Sequence, residues 1–340
     1  MAKKSISIYD IAQIAGVSTA TVSKVLNGKG SISQATRDRV LAIARDQGYV
    51  GSFTARALRE GSTRTVGIVV PDISNSFYSS IVLDVETRLY DAGYTCYICD
   101  SHNDVQRTER NLTSLVQRQV DGLILVNGRK PAEDAIPEGL PVVGIDCPYE
   151  VTSPWRADMR TDFSKMIEDA TCTLIAHGCQ RIALITVFSG ARRDDYETPN
   201  VTPFRQALKK KGLRLDRNLI LNGPHLRESR LEAEELVAEC LDAGYAPDGI
   251  VALGDRAALG ACTALEAHGL VVGRDVKVIG TDDTLYARIA RPALSSVNRH
   301  VEQMSERGVQ ALLAMMAGER PAQTQIVIPH EVVERSSTLG

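Results

Sequence analysis

A carboxylate recurs just behind apolar, strand-sized runs in this chain. Asp72 follows VGIVVP (66–71), Asp100 follows TCYIC (95–99), and Asp146 closes PVVGID (141–146). Asp255 follows DGIVAL (248–253), and Asp282 with Asp283 follows VKVIG (276–280). Asn75, Phe77 and Tyr78 stand just beyond the first of these, Asp162 opens a helical text, and His225 follows LRLDRNLILN. Carboxylates accept hydrogen bonds from hydroxyls, and an aromatic face covers the apolar side of a ring, so the set could hold a sugar-like ligand. Each aspartate reads as readily as a helix cap or turn former. Phe77 and Tyr78 could equally anchor the first helix, and His225 could be a surface-loop histidine. No P-loop, GxGxxG after a strand, GxSxG or HExxH is present, and no carboxylate spacing supports an acid/base pair, so an enzyme is not expected.

A second group of side chains lies in IYDIAQIAGVSTATVSKVLNG (8–28). Short hydroxyl residues let a helix sit deep in a DNA major groove and reach phosphates. Thr19, Ala20 and Lys24, on the exposed N-terminal side of the second helix, are placed to meet base edges. Tyr9, Ser18, Thr21, Ser23, Asn27, Ser33, Thr36 and Arg37 are candidate phosphate contacts, which position without specifying. Any one of these hydroxyls could equally be a solvated polar position on a helical bundle. Charge supports the first reading. Residues 1–60 carry nine Lys/Arg against four Asp/Glu, leaving −8 for the remaining 280 under a formal net charge of −3. A basic head on an acidic body implies that only the head meets phosphate.

The elements that must position these groups are legible. Ile8, Ile11, Ala12, Ile14 and Ala15 recur at helical spacing, and Asp10 favours the first turn. Gly16 breaks that helix as a tight turn requires, and Ser18 can cap a second helix that buries Val22, Val25 and Leu26. A third helix starts near Ser33 and runs to Gly48, completing a small helix-turn-helix core. After Thr65, strand texts alternate with helical ones at Phe77 to Tyr90, Arg107 to Arg118, Asp162 to His177 and Arg227 to Leu241. This order predicts parallel sheets with right-handed crossovers, and its repetition about residue 160 predicts two doubly wound lobes. Ligands of such sheets bind beyond the C-terminal strand ends, here between the lobes.

YDIAQIAGVSTATVSKVLNG, SISQATRDRV and QGY closely resemble the headpiece of the lactose-repressor (LacI/GalR) family of transcription regulators, and ARALREGSTRTVGIVVPDISNSFY continues the likeness. The resemblance implies a helix-turn-helix headpiece at 5–49 and a hinge at 50–62. It also implies a periplasmic-binding-protein-like body, with one lobe at 63–160 and 292–322 and the other at 161–291 and 323–340. In the family the hinge becomes helical on operator DNA and pushes a leucine into the minor groove. Leu58 occupies that place, with Ala55 and Arg56 beside it and Ser52 able to cap. PDISNSFY looks like the family's first-strand motif, whose aromatics line the effector cleft. In GTDD (280–283) the first aspartate, Asp282, is the implied effector ligand, and ALSSV (293–297) resembles a return crossing between lobes.

The chain departs from the family at four points. Gly51-Ser52 replaces Pro-Asn, Asn200 stands where an arginine is usual, Gly254-Asp255 replaces Asn-Asp, and Thr281 replaces an aromatic. Losing that arginine disfavours an acidic effector unless Arg192 or Arg193 substitutes.

The expected protein is a sequence-specific repressor that binds pseudo-palindromic operator DNA as a homodimer. A sugar or sugar derivative between the lobes would control its operator affinity, with no other cofactor and no metal. The alternatives are a global or corepressor-dependent regulator with a non-sugar effector, or a solute-binding protein. Against the last stand the DNA-binding head and an N-terminus without a signal-peptide core, from which a cytoplasmic location is expected. Seven scattered cysteines fit that compartment, and Cys96-x-x-Cys99 has no second pair or histidine to make a zinc site.

Overall fold

A computed structural model describes residues 6–26, 28, 30–49, 57, 61–128, 130–147, 149, 153–187, 198–223 and 229–340. Asn27, Ser52, Ala55, Arg56, Leu58, Arg192, Arg193 and His225 lie outside these residues. The chain divides into two compact units, Met1–Thr63 and Arg64–Gly340.

In the first unit, α1 (Ile8–Ala15) begins with a capping box. The Asp10 amide donates to Ser7 Oγ at 3.3 Å, and the Ser7 amide donates to Asp10 Oδ2 at 2.8 Å. Gly16 ends the helix at φ 65°, a left-handed turn that only glycine adopts without strain. Ser18 then caps α2 (Thr19–Leu26), accepting from the Thr21 amide at 3.1 Å, and Ser33 caps α3 (Gln34–Asp46) through Thr36. Ile11, Ala12, Ala15, Val22, Val25, Val40 and Ala44 form the core. Ile14, expected with them, is 54% exposed. At about 100° per residue it falls roughly 60° outside the arc from Ile11 to Ala12, which is all that two short partner helices can cover.

The second unit holds two six-stranded sheets. The first lobe has the order β11-β5-β4-β3-β1-β2, and the second β12-β10-β9-β8-β6-β7. The first-lobe strands are β1 (Thr65–Val70), β2 (Thr95–Asp100), β3 (Gly122–Val126), β4 (Val142–Ile145), β5 (Arg156–Thr161) and β11 (Gln325–Ile328). Those of the second are β6 (Ile182–Val187), β7 (Ile220–Gly223), β8 (Gly249–Ala252), β9 (Lys277–Gly280), β10 (Ser295–Asn298) and β12 (Glu331–Val333). All six residues of β1 are buried, as a central parallel strand with both faces covered requires. One face packs on α4 (Ser76–Asp91), the other on α5 (Val105–Gln117). The second sheet is flanked by α6 (Phe163–Ala176) and α7 (Val201–Lys210) on one side. On its other side lie α8 (Ser229–Asp242) and α9 (Asp255–Ala267). Order reverses between β1 and β3 in one sheet and between β6 and β8 in the other, which defines two switch points.

The lobe boundaries differ from the expected ones. β10 pairs with β9, so 295–298 belongs to the second lobe, and β11 pairs with β5, so 325–328 belongs to the first. Between them, after the short α10 (Leu285–Ile289), α11 (Val301–Met316) packs into the first-lobe core through Met304, Val309, Leu312 and Met315. A short strand text carries no mark of which sheet it will join; hydrogen bonding to a distant neighbour decides it. β12 is antiparallel to β10, so the second sheet is not wholly parallel. β5 reads RADMRT and has no apolar run. It is buried because Arg156 donates to Asp158 at 2.6–3.0 Å, neutralising both groups inside the fold.

Candidate functional site

The C-terminal strand ends of both lobes converge on one arginine. Arg299 follows β10 on the segment returning to the first lobe, and it is 4% exposed. Its Nη2 donates to Asp146, the residue after β4, and its Nη1 lies 3.6 Å from Asp282, just beyond β9. Nε reaches Thr161 Oγ1 at 3.5 Å. The guanidinium sits 4.4 Å over the Phe77 ring and 5.9 Å from that of Phe163. Burial opposes its charge, but the Asp146 and Asp282 carboxylates outweigh that and hold it protonated.

Phe77 and Tyr78 belong to the first turn of α4, which Asn75 caps by accepting from the Phe77 amide at 3.0 Å. Their rings meet edge to face at 5.6 Å. Tyr78 Oη accepts from Asn127 Nδ2 at 3.1 Å, and the same amide lies 3.4 Å from Asp146 Oδ2. Burial, then the nearby carboxylates of Asp146 and Asp282, push the Tyr78 hydroxyl far above its ordinary range. It is therefore a neutral group that can donate or accept.

In the second lobe, Asp255 opens α9 and accepts from Ser296 Oγ (2.5 Å), Thr284 Oγ1 (2.8 Å), and the amides of Thr284 (2.7 Å) and Asp282 (3.2 Å). A Cβ at Gly280 would fall 2.3 Å from Asp255 Oδ1, so glycine is what admits this carboxylate. Asp282 Oδ2 in turn accepts from the Asp255 amide at 3.1 Å. Burial and the neighbouring Asp255 carboxylate lift Asp282 to about 7, against the pull of Arg299. Burial also raises Asp255. Asp282 is thus a buried carboxyl that holds its proton well above the ordinary carboxylate range.

A second bridge joins the lobes. Arg256 on α9 donates from Nη1 to Asp72 Oδ2 at 2.9 Å, and Asp72, just behind β1, is 1% exposed. Its other oxygen accepts from the Ser74 amide and hydroxyl at 2.9 and 2.6 Å.

Of the residues singled out in the cleft, Phe77, Tyr78, Asp146 and Asp282 come together, with Asp255 supporting Asp282 from behind. Asn75 caps α4, Asp162 caps α6 through the Lys165 amide, and Asp100 holds a turn through the amides of Ile73 and His102. Asn200 stands at the N-terminus of α7 with no side-chain cap hydrogen bond. Asp283 pairs with Arg288 and Arg335. Sequence reasoning did not single out Asn127, Phe163, Arg256 and Arg299. Asn127 directly follows the strand GLILV, so the strand-end rule applied there would have found it. Arg299 required recognising SSVN as a strand. Among the described residues, no group of three or more His, Cys, Asp or Glu could hold a metal.

The headpiece presents a separate surface. Ala20 and Lys24 are exposed along α2, while Thr19, Thr21 and Ser23 are half-buried, so fewer side chains face outward than the sequence suggested. The hydroxyls of Ser18 and Thr21 bond each other at 2.9 Å, as do those of Ser33 and Thr36. Tyr9 is exposed near the N-terminus of α1. Capped helix N-termini and small exposed side chains suit an anionic, grooved partner.

Both parts of the chain have relatives among known proteins. Residues 7–52 match the profile of bacterial regulatory proteins of the lacI family, and residues 171–338 that of a periplasmic binding protein-like domain. The HTH-type transcriptional regulator DegA of Bacillus subtilis (strain 168) is 31% identical, over 98% of each chain. Catabolite control protein A of Staphylococcus xylosus is 30% identical, over 98% of this chain and 99% of that one. The fold matches the lac repressor dimer bound to operator and an anti-inducer, with TM-score 0.83, 22% identity, and 99% and 100% of the two chains covered. It also matches the regulator CelR in complex with cellobiose, with TM-score 0.69, 27% identity, and 98% and 99% covered.

Proposed function

Because the chain belongs to the lacI family of bacterial regulatory proteins, DNA-binding transcription regulators with an effector domain, we propose that it is a repressor whose operator affinity is set by a small polyhydroxylated effector held between its lobes. The observation that carries this reading is the convergence of Phe77, Tyr78, Asp146 and Asp282 from opposite lobes. An aromatic face and carboxylates suit hydroxyl-rich ligands, and a group bound by both lobes biases their relative geometry. Sugar-like chemistry is further supported by the likeness to CelR, a regulator bound to cellobiose.

DNA is read by α2, with Thr19, Ala20 and Lys24 at base edges and Tyr9, Ser18, Thr21, Ser23, Asn27, Ser33, Thr36 and Arg37 on phosphates. Ser52, Ala55, Arg56 and Leu58 form the hinge, Leu58 being the minor-groove wedge. The protein acts as a homodimer on a pseudo-palindromic operator. Two exposed apolar faces of the body support this: Leu83 and Tyr90 on α4 with Ile98 on β2, and Leu285, Tyr286 and Ile289 on α10. It works in the cytoplasm; among the described residues no helix is long and apolar enough to cross a membrane.

Selection of random duplexes by the full-length protein, with and without a panel of sugars, tests the reading. A palindrome whose recovery changes with one sugar is the expected result. Failure of a folded dimer to enrich any motif would overturn it.

A further inference from the structure

Arg299 stands where the functional groups of the two lobes meet. Phe77 and Tyr78 of α4 and Asp146 behind β4 reach it from the first lobe, and Phe163 of α6 and Asp282 beyond β9 from the second. The charged groups around this point are Asp146, Asp282, Asp255 at the start of α9, and Asp72 with its partner Arg256. A guanidinium with 4% exposure persists only where opposite charge and acceptors surround it. The converse also holds. A ring face and two carboxylates aimed at one point form a cage that selects a cation.

An effector taking its place between these groups must displace the Arg299 guanidinium. A neutral polyol doing so would leave Asp146 desolvated and without its charge partner, and an anion would meet carboxylates that outnumber the guanidinium groups. A ligand with its own positive charge replaces what it removes.

We propose that the interlobe cleft is a cation site filled in cis by Arg299, and that its effector is a polyhydroxylated small molecule carrying an amine or guanidine group. This rests on reading the cleft as the effector site.

The test is thermal unfolding of full-length Arg299→Ala, without DNA, in ethylguanidinium chloride, in its neutral isostere ethylurea, and in sodium chloride at matched ionic strength. Ethylguanidinium is expected to raise the midpoint of the variant by roughly 2–4 °C over both controls and to leave the wild type unmoved. An equal rise with ethylurea, or none in a variant folded by circular dichroism, would overturn the proposal. Should the alanine variant not fold, Arg299→Gln keeps most of the volume without the charge. It is expected to melt several degrees below wild type at pH 8, by a margin that narrows but does not vanish at pH 5, where Asp282 holds its proton while the Asp146 contact stays lost. Equal midpoints at pH 8 would overturn the cation requirement. Duplex selection by the wild type reads the regulatory function independently, so a missing operator motif leaves these melting results standing, and the reverse.

Discussion

The bridge between Arg256 and Asp72 joins α9 of one lobe to the end of β1 of the other, so its strength is part of what holds the lobes together. Removing one partner of a buried pair costs about 3–5 kcal/mol, because the other charge is left desolvated. Asp72 is 1% exposed, but the Arg256 side chain is 24% exposed, and Ser74 continues to hold the second carboxylate oxygen. Solvent screening and the remaining donors bring the expected cost of Arg256→Met to about 2 kcal/mol. For a unit of this size that is a drop of roughly 4–8 °C in the unfolding midpoint. The assay is thermal and denaturant unfolding of wild type, Arg256→Met, Asp72→Asn and the double variant. A coupling energy of about 1 kcal/mol or more between the two sites is expected. Additive single effects, with coupling below about 0.5 kcal/mol, would refute the bridge as an energetic link between lobes.

Asp282, at about 7 in the fold against an ordinary value of 3.8, keeps a proton that the unfolded chain releases between those limits. Stability attributable to this group is therefore full below pH 4 and lost as pH rises to 7. Asp282→Asn removes the titration, so the variant should gain on the order of 1–3 kcal/mol relative to wild type between pH 5 and pH 8. A flat difference in midpoint across that range would contradict it. Gly280→Ala places a Cβ against the fixed Asp255 carboxylate and should cost about 1–3 kcal/mol by denaturant unfolding; an unchanged midpoint would show that Asp255 can move. Ser18→Ala removes the cap of α2 and should lower headpiece stability by about 1 kcal/mol, seen as earlier loss of headpiece amide protection in hydrogen exchange. Leu58→Ala should weaken specific operator binding by a few kcal/mol while sparing the non-specific affinity, measured by titration of operator and random duplexes.

Local order was written in the chain itself. Gly16, Ser18 and Ser33 place the headpiece turns and caps because left-handed backbone and helix N-termini favour glycine and hydroxyl side chains whatever lies elsewhere. The alternation of buried runs such as VGIVVP and GLILV with amphipathic helices dictated parallel sheets, and with them the rule that functional groups stand at C-terminal strand ends. Asp146 and Asp282 stand at such ends. The same rule also points to Asp100, which holds a turn, while Asp162, at the opening of a helical text, caps that helix. An aspartate after a strand has the same local text in either role, and only the neighbours brought by the tertiary fold separate them. RADMRT carries no strand signal because its burial depends on the mutual neutralisation of Arg156 and Asp158, a pairing that exists only once the strand is formed. Whether 295–298 and 325–328 join one sheet or the other rests on hydrogen bonds to strands far away in sequence. Arg299 therefore could not be placed in advance. Its position in the cleft follows from β10 pairing beside β9, and its charge is held there by an aspartate from each lobe, a balance that exists only in the assembled fold.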